Sequence, residues 1–173
     1  QPMGGLVSLF GSLAPQGAIL KRSAADPKLF ETEGRAVVFS SLEDLSLRID
    51  DPALDVEEND ILILQNAGPK SDAAMPEAGY LPIPKKLARV GVKDMVRISD
   101  ARMSGTAYGT IVLHVTPEAA VGGPLALVKN GDKIKISVKN RSLDLLISEE
   151  EMQNRRKKLH IKSPPKYHRG YKK

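Results

Sequence analysis

The chain contains no cysteine and no tryptophan, and only four tyrosines and three phenylalanines. Without a thiol it forms no disulfide, zinc ribbon or cysteine nucleophile, and it cannot itself hold an iron–sulfur cluster through thiolates. So few aromatics leave little from which to build a base-stacking platform for nucleic acid. No apolar run approaches the roughly 20 residues of a membrane span, and no charged-then-apolar signal opens the chain, so the expectation is a soluble domain with no membrane partner. Histidine is scarce too. His114, His160 and His168 are not spaced as metal ligands on one helix, and nothing places Ser, His and Asp as a triad.

What is present is enough for a core. Of 173 residues 41% are hydrophobic, which suits one domain, or one domain with an appendage. The formal charge of +5 is unevenly spread, for all 21 acidic residues but only 17 of the 26 Lys and Arg precede Asn154. Residues 1–153 therefore read as an acidic domain, and 154–173 as a basic helix end and loose tail. A uniformly basic surface would argue for a polyanion partner; an acidic body with a basic end argues much less, and the expectation is no nucleic acid.

The run Arg35–Phe39 behind Gly34 and the four aliphatics Ile61–Leu64 predict buried strands. Ala18–Leu20, Met95–Ile98, Thr110–Val115, Leu125–Val128, Lys133–Val138 and Leu143–Ile147 predict further short strands, with an irregular lead-in before the first. Ser40 with Glu43, and Ser148 with Glu151, have capping-box spacing and open two predicted helices, the second reaching about Leu159. A third helix is expected over Ile83–Val90, with Pro84 in its first turn and Gly91 beyond its end. Many short strands with few helices predict a β-rich α/β domain, closed or half-closed into a barrel.

Two loops could carry chemistry. Ser99–Gly109 lies between apolar strands, so its polar residues stand at strand ends, where α/β folds place their sites. Within it Ser104-Gly105-Thr106 sets two hydroxyls around a permissive backbone position. Gly68–Gly79 holds Lys70, Asp72 and Glu77, and Glu77 offers the carboxylate oxygen a hard cation such as Mg²⁺ takes. Composition alone favours reading both as ordinary polar loops. His114, in the run Val112-Leu113-His114-Val115, reads as a packed or edge residue.

The order of motifs is more specific than any one of them. Ser99-Asp100-Ala101-Arg102-Met103-Ser104-Gly105-Thr106-Ala107-Tyr108-Gly109, then Leu113-His114-Val115-Thr116-Pro117-Glu118-Ala119-Ala120-Val121-Gly122-Gly123-Pro124, resembles the C-terminal part of the dihydroxy-acid dehydratase / phosphogluconate dehydratase family. So do Gly34–Phe39, Gly68-Pro69-Lys70 and Met75-Pro76-Glu77, and the match runs in order to about Arg156. Ala101–Thr106 is more similar to the sugar-acid (arabinonate or xylonate) branch than to the branched-chain one.

The resemblance implies a swivelling, β-barrel-like α/β domain and a hydro-lyase reaction in which a 2,3-dihydroxy acid loses water to give a 2-keto acid. It implies an iron–sulfur cluster, two-iron (2Fe-2S) or four-iron, and Mg²⁺, the cluster held by an N-terminal domain, so that this domain would be an excised part, inactive alone. By the same resemblance Ser104 is the base, Thr106 and Arg102 contact substrate, and Glu77 binds Mg²⁺. Partners implied are the N-terminal cluster domain, a small polyhydroxy acid and further copies of the enzyme, in the cytoplasm. The run Ser71-Asp72-Ala73-Ala74 departs from the family's glycine-rich pattern. A non-catalytic structural homologue, and a polyanion-binding module acting through the basic tail, are the competing readings.

Overall fold

A computed structural model describes residues 4–73, 81–102, 104 and 107–161. Among these residues eight strands form one mixed sheet: β1 (Leu6–Leu9), β2 (Gly17–Lys21), β3 (Glu31–Phe39), β4 (Ile61–Leu64), β5 (Arg97–Ser99), β6 (Ile111–Thr116), β7 (Lys133–Ser137) and β8 (Ser142–Leu145). Their order is β1-β2-β6-β5-β4-β3-β7-β8, with β3, β4, β5 and β6 mutually parallel at the centre and antiparallel pairs on either side. The two ends of the sheet nearly meet. Just beyond β1, Phe10 N–H donates to Arg141 O at 2.9 Å and Leu143 N–H donates to Phe10 O at 2.8 Å, bridging to β8 and closing most of a barrel. Gly11 permits this approach, because any Cβ there would run into the Leu143 carbonyl.

Strand alternation divides the apolar residues between two cores. Ala36 and Val38, Ile61 and Ile63, Ile98, Val112, Ile134 and Ile136 fill the barrel interior. Val37 and Phe39, with Leu62 and Leu64, face outward against α1 (Leu42–Arg48) and the segment around α2 (Lys85–Arg89), burying Leu45, Ile49, Leu81 and Met95. Every residue of β4 is buried, as four consecutive aliphatics require in a strand covered on both faces.

Several boundaries differ from expectation for local reasons. The first helix is capped one residue later than the Ser40/Glu43 spacing suggests. Ser41 accepts from Asp44 N–H, and Asp44 in turn accepts from Ser40 N–H, so a capping pair forms with Asp in place of Glu. Pro84 precedes α2 rather than sitting in its first turn. Leu125–Val128 is not a strand: Gly123-Pro124 starts a short 3₁₀ turn over Pro124–Leu127, since proline fixes the φ of a first helical turn and lacks the N–H a ladder needs. The expected strand at Met95–Ile98 begins later, at Arg97, and the irregular lead-in contains β1.

The last helix, α3 (Glu149–Lys158), starts where the Ser148/Glu151 box predicts, with Ser148 Oγ accepting from Glu151 N–H at 3.1 Å. It spans position 154, and Arg155 ties it to the body. The guanidinium holds Asp132 at 2.5 and 2.9 Å and donates to Leu127 O at 2.9 Å. Residues 162–173 lie outside the described residues. Ser148→Ala should lower stability by about 1 kcal/mol, the usual worth of a helix cap. A denaturant titration followed by amide exchange in α3 measures it.

Candidate active site

Because β3 to β6 run parallel and in register, their carboxyl ends share one edge of the barrel. Three connections leave from neighbouring strands there: Gln65–Ser71 after β4, Asp100–Ser104 after β5, and Pro117–Gly123 after β6. The beginnings of the two loops singled out from the sequence are thus brought side by side by topology.

Two buried acids lock these connections together. Asp100, 1% exposed, accepts from Ala67 N–H at 2.9 Å through Oδ1 and from Ala119 N–H at 2.8 Å through Oδ2. Glu118 accepts from Lys70 N–H at 2.9 Å. Gly68 passes so close to the Glu118 carboxylate that a side chain there would collide with it. Burial pushes the Asp100 carboxyl above its ordinary value; its two amide donors oppose this, and the charge of Glu118 adds to it. Neither acid had a role assigned from sequence, although both stand in the quoted motifs. Their signal was position: a carboxylate directly after a buried strand, and another at Pro117-Glu118, where it meets backbone rather than solvent.

The far end of the Ser104 loop is pinned separately. Asp94 accepts from Thr110 N–H and Oγ1 at 2.8 and 2.7 Å and from Arg97 Nη2 at 2.8 Å, and Arg97, 7% exposed, also donates to Leu81 O at 2.8 Å. Gly109, at φ +116°, lies against this guanidinium, leaving no room for a side chain. Between these anchors Ser104 is half-buried and its carbonyl accepts from Ala107 N–H at 3.1 Å, a local turn. Hydrogen bonds thus fix the described residues on both sides of Ser104, at Asp100 and at Gly109–Thr110.

Arg102 is exposed at the same edge, and so is Lys70. Glu77 and Thr106 lie outside the described residues. Ser71, in the run that departs from the family pattern, is buried and donates its hydroxyl to Gly68 O at 2.6 Å, so that run begins as an ordered turn. His114 is exposed on β6, neither packed into the core nor at a sheet edge. A separate cleft of about 300 Å³ lies around Arg35, Arg48, Leu54 and Asn130. Its arginines are already engaged, Arg35 by Asp55 and Asp60 and Arg48 by Asp44, so it offers little free charge to a ligand.

A nearly closed mixed barrel with three connections gathered at the carboxyl edge of its parallel strands defines a β-rich α/β domain. Sequence comparison makes the assignment specific. The model of the dihydroxy-acid/6-phosphogluconate dehydratase C-terminal family matches residues 1–173, and the chain belongs to that family. It is 57% identical to an L-arabinonate dehydratase of Rhizobium leguminosarum over 152 residues, 88% of this chain and 26% of that protein. It is 55% identical to a 6-deoxy-6-sulfo-D-gluconate dehydratase of Pseudomonas putida over 151 residues, 87% of this chain and 26% of the other. A dihydroxy-acid dehydratase of Carboxydothermus hydrogenoformans is 42% identical over 169 residues, 97% of this chain and 30% of the relative. The similarity is thus greater to the two sugar-acid enzymes than to this dihydroxy-acid one. The chain spans between a quarter and a third of the length of these relatives.

Proposed function

We propose that the chain is the C-terminal domain of a hydro-lyase that converts a 2,3-dihydroxy acid of the sugar-acid type into a 2-keto acid. The observation that carries this reading is the Ser104 loop, anchored at both ends on the barrel's carboxyl edge, in a chain 57% identical to an L-arabinonate dehydratase. In the reaction the C2–H proton passes to Ser104 Oγ, the C3 hydroxyl leaves as water, and the resulting enol takes a proton at C3 to become the keto acid. Serine is a weak base, so the alkoxide must be favoured by positive charge around it, to which the exposed guanidinium of Arg102 contributes. Arg102 and Thr106 are proposed to contact the acid's oxygens.

The metal groups implied by the family do not fit within this chain alone. It has no cysteine, and among the described residues no group of three His, Asp or Glu converges as a metal site. Glu77 is proposed as one Mg²⁺ ligand, with the iron–sulfur cluster and the other ligands on an N-terminal domain of a longer enzyme. Further copies of that enzyme and a cytoplasmic location belong to the same reading. Among the described residues no helix is long and apolar enough to cross a membrane.

Assay of the intact enzyme against a panel of aldonic and branched-chain 2,3-dihydroxy acids tests the proposal, with keto-acid formation as the readout. Turnover of aldonic acids at higher kcat/KM than branched-chain acids is expected. Preference for the branched-chain acids would move the substrate assignment to the other branch, and no keto acid from any of them would overturn the reading.

A further inference from the structure

His114 has a backbone conformation that its sequence neighbours do not require. Its φ is +54°, the left-handed region, in the middle of a β-strand. That conformation is unfavourable for an ordinary L-residue, and glycine or asparagine adopts it with less strain. The cause is a bulge: Gly17 pairs with Thr116 and Ile19 with Leu113, so Ala18 alone faces both His114 and Val115. The bulge breaks the alternation of β6, leaving Val112 and Val115 both in the barrel interior and His114 exposed. Its N–H donates to Ala101 O at 3.1 Å, so the residue is fastened to the loop that carries Arg102 and Ser104. Partial burial, and then the nearby charge of Arg102, hold the imidazole below its ordinary pKa. A neutral imidazole both donates and accepts hydrogen bonds, as a substrate hydroxyl does. Strained residues and bulges cluster at sites where a side chain must be aimed.

We propose that His114 is a substrate-binding residue of the Ser104 site, its imidazole aimed by the β6 bulge to hydrogen-bond an oxygen of the dihydroxy acid. This rests on the dehydratase reading above. A purely structural role makes the opposite forecast for one variant. His114→Gly relieves the left-handed backbone and should leave the melting temperature of the intact enzyme equal or higher. Its KM for the aldonic acid should nevertheless rise about tenfold with kcat nearly unchanged, as loss of a uniformly made hydrogen bond requires. His114→Asn tolerates the same backbone and keeps a donor and an acceptor, so it should recover part of the loss. KM within about twofold of wild type in His114→Gly would overturn the proposal, and so would a fall in kcat at unchanged KM. Activity lost in Ser104→Ala but untouched in His114→Gly would reject the histidine alone. No dehydration by the wild-type enzyme would reject both readings.

Discussion

Ser104→Ala in the intact enzyme is expected to lower kcat about a thousandfold while leaving the barrel and its melting behaviour nearly unchanged. The magnitude is that of removing a positioned general base, typically about 10²–10⁴. Most of the stability should be kept because Asp100 holds the start of the loop and the Asp94–Arg97–Thr110 cluster its end, and the substitution touches neither. Ser104→Cys gives a second, independent reading. A thiol ionises near pH 8.5, far more readily than a hydroxyl, so residual activity should rise with pH through that region. The measurements are kcat and its pH profile for both variants, beside exchange protection of β5 and β6. Turnover of Ser104→Ala within tenfold of wild type would remove the serine from the chemistry.

How much of this was legible in the sequence differs from element to element. The two short apolar runs, at 35–39 and 61–64, predicted buried strands, and they lie in β3 and β4, a parallel pair at the centre of the sheet. Ser148 and Glu151 formed their cap where the spacing placed it, because capping is a contact three residues long. The errors arose where a local signal competed with a neighbour. Ser40 and Ser41 are both competent caps, and Asp44 rather than Glu43 decided between them. Leu125–Val128 has the composition of a strand, but Gly123-Pro124 imposes a turn on it. At the candidate site the motif order pointed to the loops, and topology then explained why they adjoin. The position of Asp100 directly after a buried strand marked it, but its partners, Ala67 and Ala119, are 33 and 19 residues away and only the fold names them. The bulge at His114 was hidden for the same reason: it is a property of the pairing with Gly17–Ile19, not of β6 itself.

Asp100 therefore carries the other large effect. Each of its oxygens takes a different backbone N–H, one from the connection after β4 and one from that after β6. Asparagine keeps the shape but offers one acceptor and one NH₂ group, so one buried N–H must face a donor. Leaving such a group unsatisfied costs about 1–3 kcal/mol. Asp100→Asn should accordingly raise amide exchange at Ala67 or Ala119 by about 5- to 150-fold, and slow turnover along with it, since the same carboxylate sets the start of the Ser104 loop. Exchange unchanged at both amides would mean that the two connections are held without it. The pH dependence follows from the same burial. Because the folded protein raises the Asp100 pKa, it binds that proton more tightly than the unfolded chain does. The stability owed to this linkage is fully present below the ordinary carboxylate value and is lost as pH rises through the raised one. A variant that cannot ionise at this position should show a flatter stability–pH curve across that interval. Its urea midpoint should stand furthest below that of the wild-type enzyme at the acid end and come closer to it as the wild-type carboxyl ionises.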